Sequence, residues 1–284
     1  MITQDECLLL NCRLGSAPRN TLTMVQLRML IEGLSQRSET AAQLTDADFM
    51  EMGFNLLEVA QIRSALDDVL LLMKYRKEAA ARGCFPLTVV DPEYPKFLDN
   101  LLGVHAPSYF WYRGDLQILK MPMVALVGSR DLGEENYQFA AEVGKQAALQ
   151  GYALVSGNAR GADQAAQAAC LAHGGYVVSV LADSLRSHKP QSRVLYLSED
   201  GYDMHFTAYR ALHRNHVIHA LGEKVFVAQC NYRKGGTWDG TKFNLERSIR
   251  PVFCFRDGSP AAADLEELGA VQVELNALVN IRNL

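Results

Sequence analysis

Two turns combine glycine with hydroxyl, amide and cationic side chains, as phosphate-binding loops do. The first is Gly128-Ser129-Arg130, at the end of an apolar run from Met123; the second, residues 156–163 (SGNARGAD), ends another apolar run. Glycine permits backbone angles and close approaches that a Cβ forbids, and the helix expected after each turn offers unpaired N–H groups to an anion. Both turns therefore predict a phosphate site, with a helix cap plus a surface arginine as the alternative for the first.

Two further segments contain residues of the same kinds. Arg214-Asn215 suits a phosphate and a base edge, or else forms an exposed turn of an ordinary helix. Lys234-Gly235-Gly236-Thr237 precedes Trp238; a cation and an aromatic ring beside a glycine turn favour a nucleotide, and a loop with a buried tryptophan is the alternative. The candidate phosphate- and nucleic-acid-binding residues are Gly128, Ser129, Arg130, Ser156, Gly157, Asn158, Arg160, Gly161, Arg214, Asn215, Lys234, Gly235, Gly236 and Thr237.

Motifs for nucleotide hydrolysis, dinucleotide chemistry and acyl transfer are missing from the sequence. GxxxxGK[ST] and GxSxG do not occur, and GxGxxG does not follow the first long apolar strand. His213, His216 and His219 are spaced by three, but no carboxylate or cysteine completes a metal-site pattern around them. We therefore predict no catalytic residues, no metal and no cofactor; a non-enzymatic protein is favoured, and enzymatic activity stays an open question.

The composition is that of a soluble globular protein with no overall basic character. The 284 residues include 28 lysines and arginines against 32 aspartates and glutamates, a formal net charge of −4. This charge argues against strong non-specific duplex binding but allows a local positive groove. No apolar run approaches the roughly 20 residues that span a bilayer, and the N-terminus lacks a basic secretion signal. We expect a cytoplasmic protein without membrane contact, whose scattered cysteines are buried thiols.

The first 82 residues are predicted to form a small all-helical domain. Helical periodicity extends over Thr23–Leu34, a capped helix starts at Thr45, and Leu56–Arg82 forms one long amphipathic segment that ends at Gly83. Such a set of helices binds a partner or a DNA backbone, or simply packs against the rest of the chain.

Residues 83–284 are predicted to form an α/β domain. Strands are expected in residues 85–90, 108–114, 123–127, 152–156, 176–181, 193–197, 224–228, 251–255 and 270–275, and helices in 207–221, 241–249 and 261–268. This alternation indicates a doubly wound, mainly parallel sheet. Ligands bind such sheets outside the carboxyl ends of the strands, where the glycine-rich turns fall.

Taken together, the turns resemble those of the DNA-processing protein A family (DprA/Smf), over about half of the chain. The resemblance rests on five segments: Val127-Gly-Ser-Arg130, Ser156-Gly-Asn-Ala-Arg-Gly-Ala-Asp163, Gly174-Gly-Tyr-Val-Val178, Arg214-Asn-His-Val-Ile-His-Ala-Leu221 and the lead-in Asp91-Pro-Glu-Tyr-Pro95. It implies an extended Rossmann-like fold preceded by a small helical domain of the SAM or HhH type.

The resemblance also implies a function. Family members bind single-stranded DNA, protect incoming DNA and load the RecA recombinase during natural transformation. By motif match, Arg130 would contact DNA phosphate, and Ser129, Ser156, Gly157 and Arg214 would line the pocket. A RecA-type recombinase and a second copy of the chain are open as further partners.

Departures from the family pattern leave a second interpretation open. Ala211-Leu212 replaces the family's Phe-Pro, and His216 replaces its second arginine. The segment Gly235–Gly240 with Glu246 is similar to the LOG-type nucleotide phosphoribohydrolases, although their full motif is not met. A divergent paralogue that senses a nucleotide, or hydrolyses its N-glycosidic bond, is therefore the alternative to a DNA-binding protein.

Overall fold

The computed structural model describes residues 1–15 and 19–284, and in this part of the chain nine strands form one sheet. The strands are β1 (Phe85–Thr88), β2 (Tyr109–Arg113), β3 (Met123–Val127), β4 (Ala153–Ser156), β5 (Tyr176–Leu181), β6 (Val194–Ser198), β7 (Lys224–Val227), β8 (Val252–Phe255) and β9 (Val271–Val273). Their spatial order is β1-β2-β6-β5-β4-β3-β7-β8-β9. The pairs β1–β2 and β2–β6 are antiparallel, and every other neighbouring pair is parallel.

Helices cover both faces of this sheet, which is why β3, β4 and β6 are mostly apolar and are buried along their whole length. They are α1 (Gln4–Asn11), α2 (Met24–Ser35), α3 (Asp46–Glu51), α4 (Leu56–Asp67), α5 (Val69–Ala80), α6 (Phe97–Leu102), α7 (Glu134–Leu149), α8 (Ala162–Ala172), α9 (Ala208–Leu221), α10 (Gly236–Arg247) and α11 (Pro260–Glu267). Short 3₁₀ segments lie at Ala41–Gln43, Gly103–His105, Leu116–Lys120 and Leu185–Ser187, and a longer 3₁₀ segment, kinked at Asn280, spans Leu275–Asn283.

Two hydrophobic layers result from the alternation of side chains along the strands. In β3, Val124 and Leu126 point into the layer formed with α7, α8 and the N-terminal helices. Ala125 and Val127 point into the opposite layer, formed with α6, α9 and α11. The doubly wound α/β fold expected from the sequence is therefore confirmed.

The N-terminal helices pack on the antiparallel end of the sheet. Capping boxes at Thr3, Thr23, Thr45 and Asn55 fix where α1, α2, α3 and α4 begin. Tyr75 of α5 lies 5.1 Å from the Trp111 ring of β2 and 4.7 Å from the Tyr202 ring, measured between centroids. The helical region and the sheet thus share one continuous apolar core.

Two predicted helices differ from those observed. The segment Leu56–Arg82 is two helices, because Asp68 (φ −74°, ψ 26°) leaves the helical conformation between α4 and α5. The apolar pattern continues across that break and so conceals it. Helix α10 begins at Gly236, five residues before the predicted start at Thr241, so Gly236 and Thr237 belong to its first turn.

The strand order places a topological switch beside β3. From β3 the chain builds β4, β5 and β6 on one side, then returns to lay β7 on the other side of β3. The loops after β3, β4 and β7 therefore emerge at the carboxyl edge where doubly wound sheets bind ligands.

Other general features concern the membrane and the cysteines. Within residues 1–15 and 19–284, no helix combines the length and the apolar character needed to cross a bilayer. All six cysteines are buried free thiols.

Candidate nucleic-acid interface

Three loops at the carboxyl edge of the sheet are joined by hydrogen bonds. Ser129 N–H donates to the Gln229 carbonyl (2.8 Å), which links the loops after β3 and β7. Ala162 N–H donates to the Ser129 carbonyl (3.2 Å), which adds the loop after β4. The Thr237 hydroxyl donates to the Gly128 carbonyl (3.0 Å), which fixes the start of α10 against the same loop. The sequence-predicted turns therefore form one braced rim.

Gly161 is required for this junction. Its φ of +86° is a conformation that other L-residues rarely adopt. A Cβ at this position would lie 2.5 Å from the carbonyl oxygens of Ser129 and Arg130. Gly161 thus brings the second turn against the first.

Arg214 reaches the rim from the middle of α9 and is almost fully buried. Its guanidinium occupies the space beside Gly157, where a Cβ would lie 1.4 Å from Nη1. Arg214 Nη1 lies 3.7 Å from Asp163 Oδ2, and Asp163 also accepts a hydrogen bond from Ala159 N–H (3.1 Å). Gly157 and Asp163 therefore position the arginine.

Burial works against both charges of this pair. It raises the pKa of Asp163 and lowers the pKa of Arg214, and the attraction between the two groups opposes each shift. Arg214 Nε has no hydrogen-bond partner among the described residues. A desolvated, incompletely paired guanidinium is well suited to bind an anion that enters from the rim.

The first groove at this rim has a volume of about 610 Å³. Among its walls are the end of β3, the loop after β7, the middle of α9 and the first turn of α10. Nine of the candidate residues line it: Gly128, Ser129, Arg130, Arg214, Asn215, Lys234, Gly235, Gly236 and Thr237.

A second groove of about 390 Å³ adjoins the first. Gly157, Asn158 and Arg160 line it, so three more candidate residues lie here. Arg130, Ala159, Phe206 and Arg214 line both grooves. The two grooves therefore meet at two arginines and one aromatic ring.

The exposed cations of the rim differ in their partners. Arg130 lies over the ring of Phe206, 5.8 Å from its centroid. Arg160 Nη2 pairs with Asp131 Oδ1 at 2.6 Å, and both side chains are largely exposed. Lys234 lines the first groove, whereas the adjacent Arg233 pairs with Asp264 (2.6 Å) and lines neither groove.

Several donors expected to be free are already used within the protein. The Ser129 N–H and the Thr237 hydroxyl hold loop carbonyls, as described above. The Asn215 amide donates to the Gly236 carbonyl (2.8 Å) and fixes α10 to α9. These groups shape the groove, and only their remaining atoms face a ligand.

The structure also corrects the roles expected at the two turns. Ser156 is fully buried in β4 and lines neither groove, and Gly161 serves the loop junction instead of lining a groove. Helix α7 starts only at Glu134, and Glu134 and Glu135 in its first turn disfavour an anion there. Asp163 pairs with Arg214, whereas Arg160 turns outward to Asp131.

Phe206 and a histidine–carboxylate pair were missed from the sequence. Phe206 directly precedes the N-cap Thr207 of α9 and is 52% exposed, so the predicted helix start was the available signal for it. His188 Nε2 lies 3.0 Å from both carboxylate oxygens of Asp183 in the second groove. Trp238 is buried in the core and offers no free face.

The histidines of α9 have separate roles. His213 Nδ1 lies 2.6 Å from Glu199 Oε2, and this contact raises the pKa of His213. His216 stacks on Phe243 with ring centroids 3.7 Å apart, and His219 is buried against Asn244. Among the described residues, no group of three or more His, Cys, Asp or Glu side chains is placed to hold a metal ion.

Comparisons with known proteins agree with this architecture. A sequence similarity to the DNA processing protein DprA of Streptococcus pneumoniae, 31% identical over 190 residues, covers 60% of this chain and 61% of that protein. The chain therefore spans less than two thirds of the length of this relative.

Two solved structures share the fold. The X-ray structure of DprA from S. pneumoniae superposes with a TM-score of 0.72, covering 99% of each chain at 23% identity. A DNA processing protein A structure from Helicobacter pylori gives a TM-score of 0.58, covering 69% of this chain and 94% of that one at 24% identity. The H. pylori protein is described as having a unique single-stranded DNA binding mode.

The sequence profile of one family, described as DNA recombination-mediator protein A, matches residues 86–260, which is more than half of the chain. The matched segment contains the braced rim and both grooves. The chain belongs to the DNA recombination-mediator protein A family.

Proposed function

We propose that this protein binds single-stranded DNA at the two joined grooves, as a member of the DNA-processing A type. The observation that supports this most is the junction itself, where Arg130, Arg214 and Phe206 line both grooves. Arginine forks bind phosphate oxygens, and an exposed aromatic ring stacks on a base. The two arginines can therefore bind phosphates of a DNA strand while the Phe206 ring stacks on one of its bases.

A single strand fits this site better than a duplex does. An exposed ring can stack only on a base that has left the double helix. The rim arginines belong to a chain whose net charge is −4, so long-range attraction for duplex DNA is weak. The grooves select an unpaired strand that can bend between them.

In the cell, this activity would protect incoming DNA and assist the loading of a RecA-type recombinase during transformation. Support comes from family membership and from the single-stranded DNA binding described for the H. pylori protein. The recombinase and a homodimer are proposed as partners on the same ground.

A nucleotide sensor on the same fold is the second candidate. The volumes of the two grooves lie in the range of roughly 300–1,000 Å³ typical of small-ligand pockets. Hydrolysis of an N-glycosidic bond has less support, because Glu246 pairs with Lys242 (3.4 Å) on α10 and lines neither groove.

A titration with labelled oligonucleotides separates these candidates. The protein is added to a fluorescein-labelled single-stranded 20-mer, to its duplex and, in competition, to mononucleotides at the same ionic strength. We expect tight binding of the single strand, weaker binding of the duplex and little competition by mononucleotides. Mononucleotides that displace the strand at equal concentration would favour the sensor, and no binding of the single strand would refute the proposal.

A further inference from the structure

The second groove contains a carboxylate among arginines, which a pure phosphate site would not have. Asp183 and His188 line it together with Arg130, Arg160 and Arg214. The Asp183 side chain is 42% exposed, so its carboxylate can meet a ligand. A negative charge at this position repels phosphate and accepts hydrogen bonds from N–H groups. The wall of the groove formed by Asp183 is therefore suited to a neutral group that donates hydrogen bonds.

A chain of hydrogen bonds holds this carboxylate in place. His188 Nε2 lies 3.0 Å from both Asp183 oxygens, and His188 Nδ1 lies 3.3 Å from Asn158 Nδ2. A neutral His188 with its proton on Nε2 satisfies both contacts, because Nε2–H donates to Asp183 and Nδ1 accepts from the Asn158 amide. Asn158 itself has φ +57°, a conformation that places its side chain at the end of β4.

The carboxylate stays ionised and keeps lone pairs for a ligand. Burial acts to raise the pKa of Asp183, but the hydrogen bond from His188 is the largest of several contacts that outweigh it and lower that pKa. A carboxylate offers about four acceptor positions, of which a single shared N–H of His188 uses only part.

We propose that the second groove is a base-edge subsite that prefers guanine, with Asp183 as the hydrogen-bond acceptor and His188 and Asn158 as its positioning residues. The inference deepens the proposed function and rests on it, since the base arrives as part of a bound single strand. Phe206 lines this groove and is half exposed, so it can stack on the base that enters.

The chemistry of the base edges selects guanine. Its Watson–Crick edge places two donors side by side, N1–H and the N2 amino group, and a carboxylate accepts both in a forked arrangement. Cytosine and adenine offer one amino group each. Thymine offers one N–H between two carbonyl oxygens, which the Asp183 carboxylate repels.

The test compares oligonucleotides that differ at one base. Each consists of thymidines with one central guanine, inosine or thymine, and inosine differs from guanine only by loss of the N2 amino group. For the unmodified protein we expect about tenfold tighter binding of the guanine strand than of the all-thymine strand, the discrimination typical of a forked contact with a base edge. The inosine strand should fall between the two.

Two variants show whether Asp183 is responsible. Asp183→Asn should reduce the guanine preference to less than about threefold while overall binding persists. Glu135→Gln, which removes an exposed negative charge of the first turn of α7 outside both grooves, should keep the full preference. Far-UV circular dichroism confirms the fold of each variant.

The outcomes separate this inference from the proposed function. Equal affinity of the unmodified protein for the guanine, inosine and thymine strands would overturn the guanine subsite but leave single-strand binding intact. An undiminished guanine preference in a folded Asp183→Asn protein would have the same meaning. Absence of binding to every strand would instead refute the proposed function. Because the inosine comparison uses the unmodified protein, it remains decisive even if Asp183→Asn fails to fold.

Discussion

At the scale of single residues, Arg214 and Phe206 show how the rim combines a fixed cation with an accessible ring. Arg214 is held by Gly157 and Asp163 and loses little freedom when it binds an anion. Phe206 is half exposed and lines both grooves. One residue supplies charge from beneath, and the other supplies an apolar face from the surface.

Replacement of Phe206 tests the stacking role. Phe206→Ala should weaken single-strand binding by about 1–3 kcal/mol, the usual contribution of one stacked base, and Phe206→Trp should retain it. Phe97→Ala is a matched control, because Phe97 also lies beneath an arginine (Arg250, 5.6 Å) but lines neither groove. Binding measured by fluorescence anisotropy that is equally reduced in the Phe97 and Phe206 variants would exclude stacking at Phe206.

Asp131 competes with a ligand for Arg160. The ion pair is exposed and contributes only about 0–1 kcal/mol, so a phosphate can displace the carboxylate at small cost. Asp131→Asn should therefore tighten single-strand binding by about twofold to fivefold at low salt. Glu135→Gln removes a nearby charge without touching Arg160, and an equal gain in both variants would show a general charge effect instead.

The sequence predicted which residues gather at the rim better than it predicted what each one does. Gly128-Ser129-Arg130 and Gly157 stand at strand ends, and strand ends can be identified from apolar runs. The use of the Thr237 hydroxyl and the Asn215 amide depends on which loops meet in space. A pattern in one chain does not contain that information.

At the scale of elements, one face of α9 lines the grooves and another face packs against the rest of the protein. Arg214 and Asn215 face the grooves, whereas His216 and His219 face α10 and the core. Burial lowers the pKa of His216 to about 4 and that of His219 to about 3. Both rings are therefore neutral in the folded protein at pH 5, where the unfolded chain protonates them.

This difference makes the stability depend on pH. A histidine whose pKa is lowered by folding leaves the free energy of unfolding undiminished above pH 6.5. As the pH drops from 6.5 toward the folded-state pKa, the free energy of unfolding decreases, because the unfolded chain binds the proton more readily. His216→Phe preserves the stacking on Phe243 and removes one such group. The loss of unfolding free energy between pH 6.5 and 5 should then shrink by about 1 kcal/mol, discounted for the partial exposure of His216.

Urea unfolding at the two pH values measures this effect. His205→Gln, at an exposed histidine, is the control and should leave the pH dependence unchanged. His213, whose pKa is raised in the folded protein, is present in both proteins, so its own contribution to the pH dependence is common to the two measurements. An unaltered pH dependence in His216→Phe would contradict the account.

Long apolar elements could be predicted well, and short or interrupted ones could not. The nine strands match the predicted segments to within a few residues because each is an apolar or alternating run. The break at Asp68 and the early start of α10 depend on local turns within a pattern that stays helical. Helix α1 was not predicted individually; the capping box at Thr3 fixes where it begins, and most of its residues are buried.

At the scale of the whole molecule, the helical region and the sheet share a core through Tyr75, Trp111 and Tyr202. The Tyr75 hydroxyl also donates to Asp203 (2.5 Å), in the segment that leads to Phe206. The division into residues 1–82 and 83–284, and the SAM- or HhH-like nature of the first part, stay predictions. The shared core indicates that the two parts unfold together.

Unfolding measured by two signals checks this coupling. In Trp238→Phe, the remaining tryptophan is Trp111, at the contact between the helices and the sheet. Its fluorescence and the far-UV circular dichroism should give the same urea midpoint, as expected for one cooperative unit. A fluorescence transition that clearly precedes the loss of helix would show that the helical region separates first.

The most direct test of the central claim is the salt dependence of single-strand binding in the unmodified protein, in Arg130→Ala and in Arg233→Ala. Arg130 lines both grooves, whereas Arg233 is paired with Asp264 outside them. We predict that Arg130→Ala weakens binding and flattens the slope of log K against log salt by about 0.7, the loss of one phosphate contact, and that Arg233→Ala changes neither. An unchanged slope and affinity in Arg130→Ala, or an equal loss in Arg233→Ala, would contradict a single-strand site at this rim.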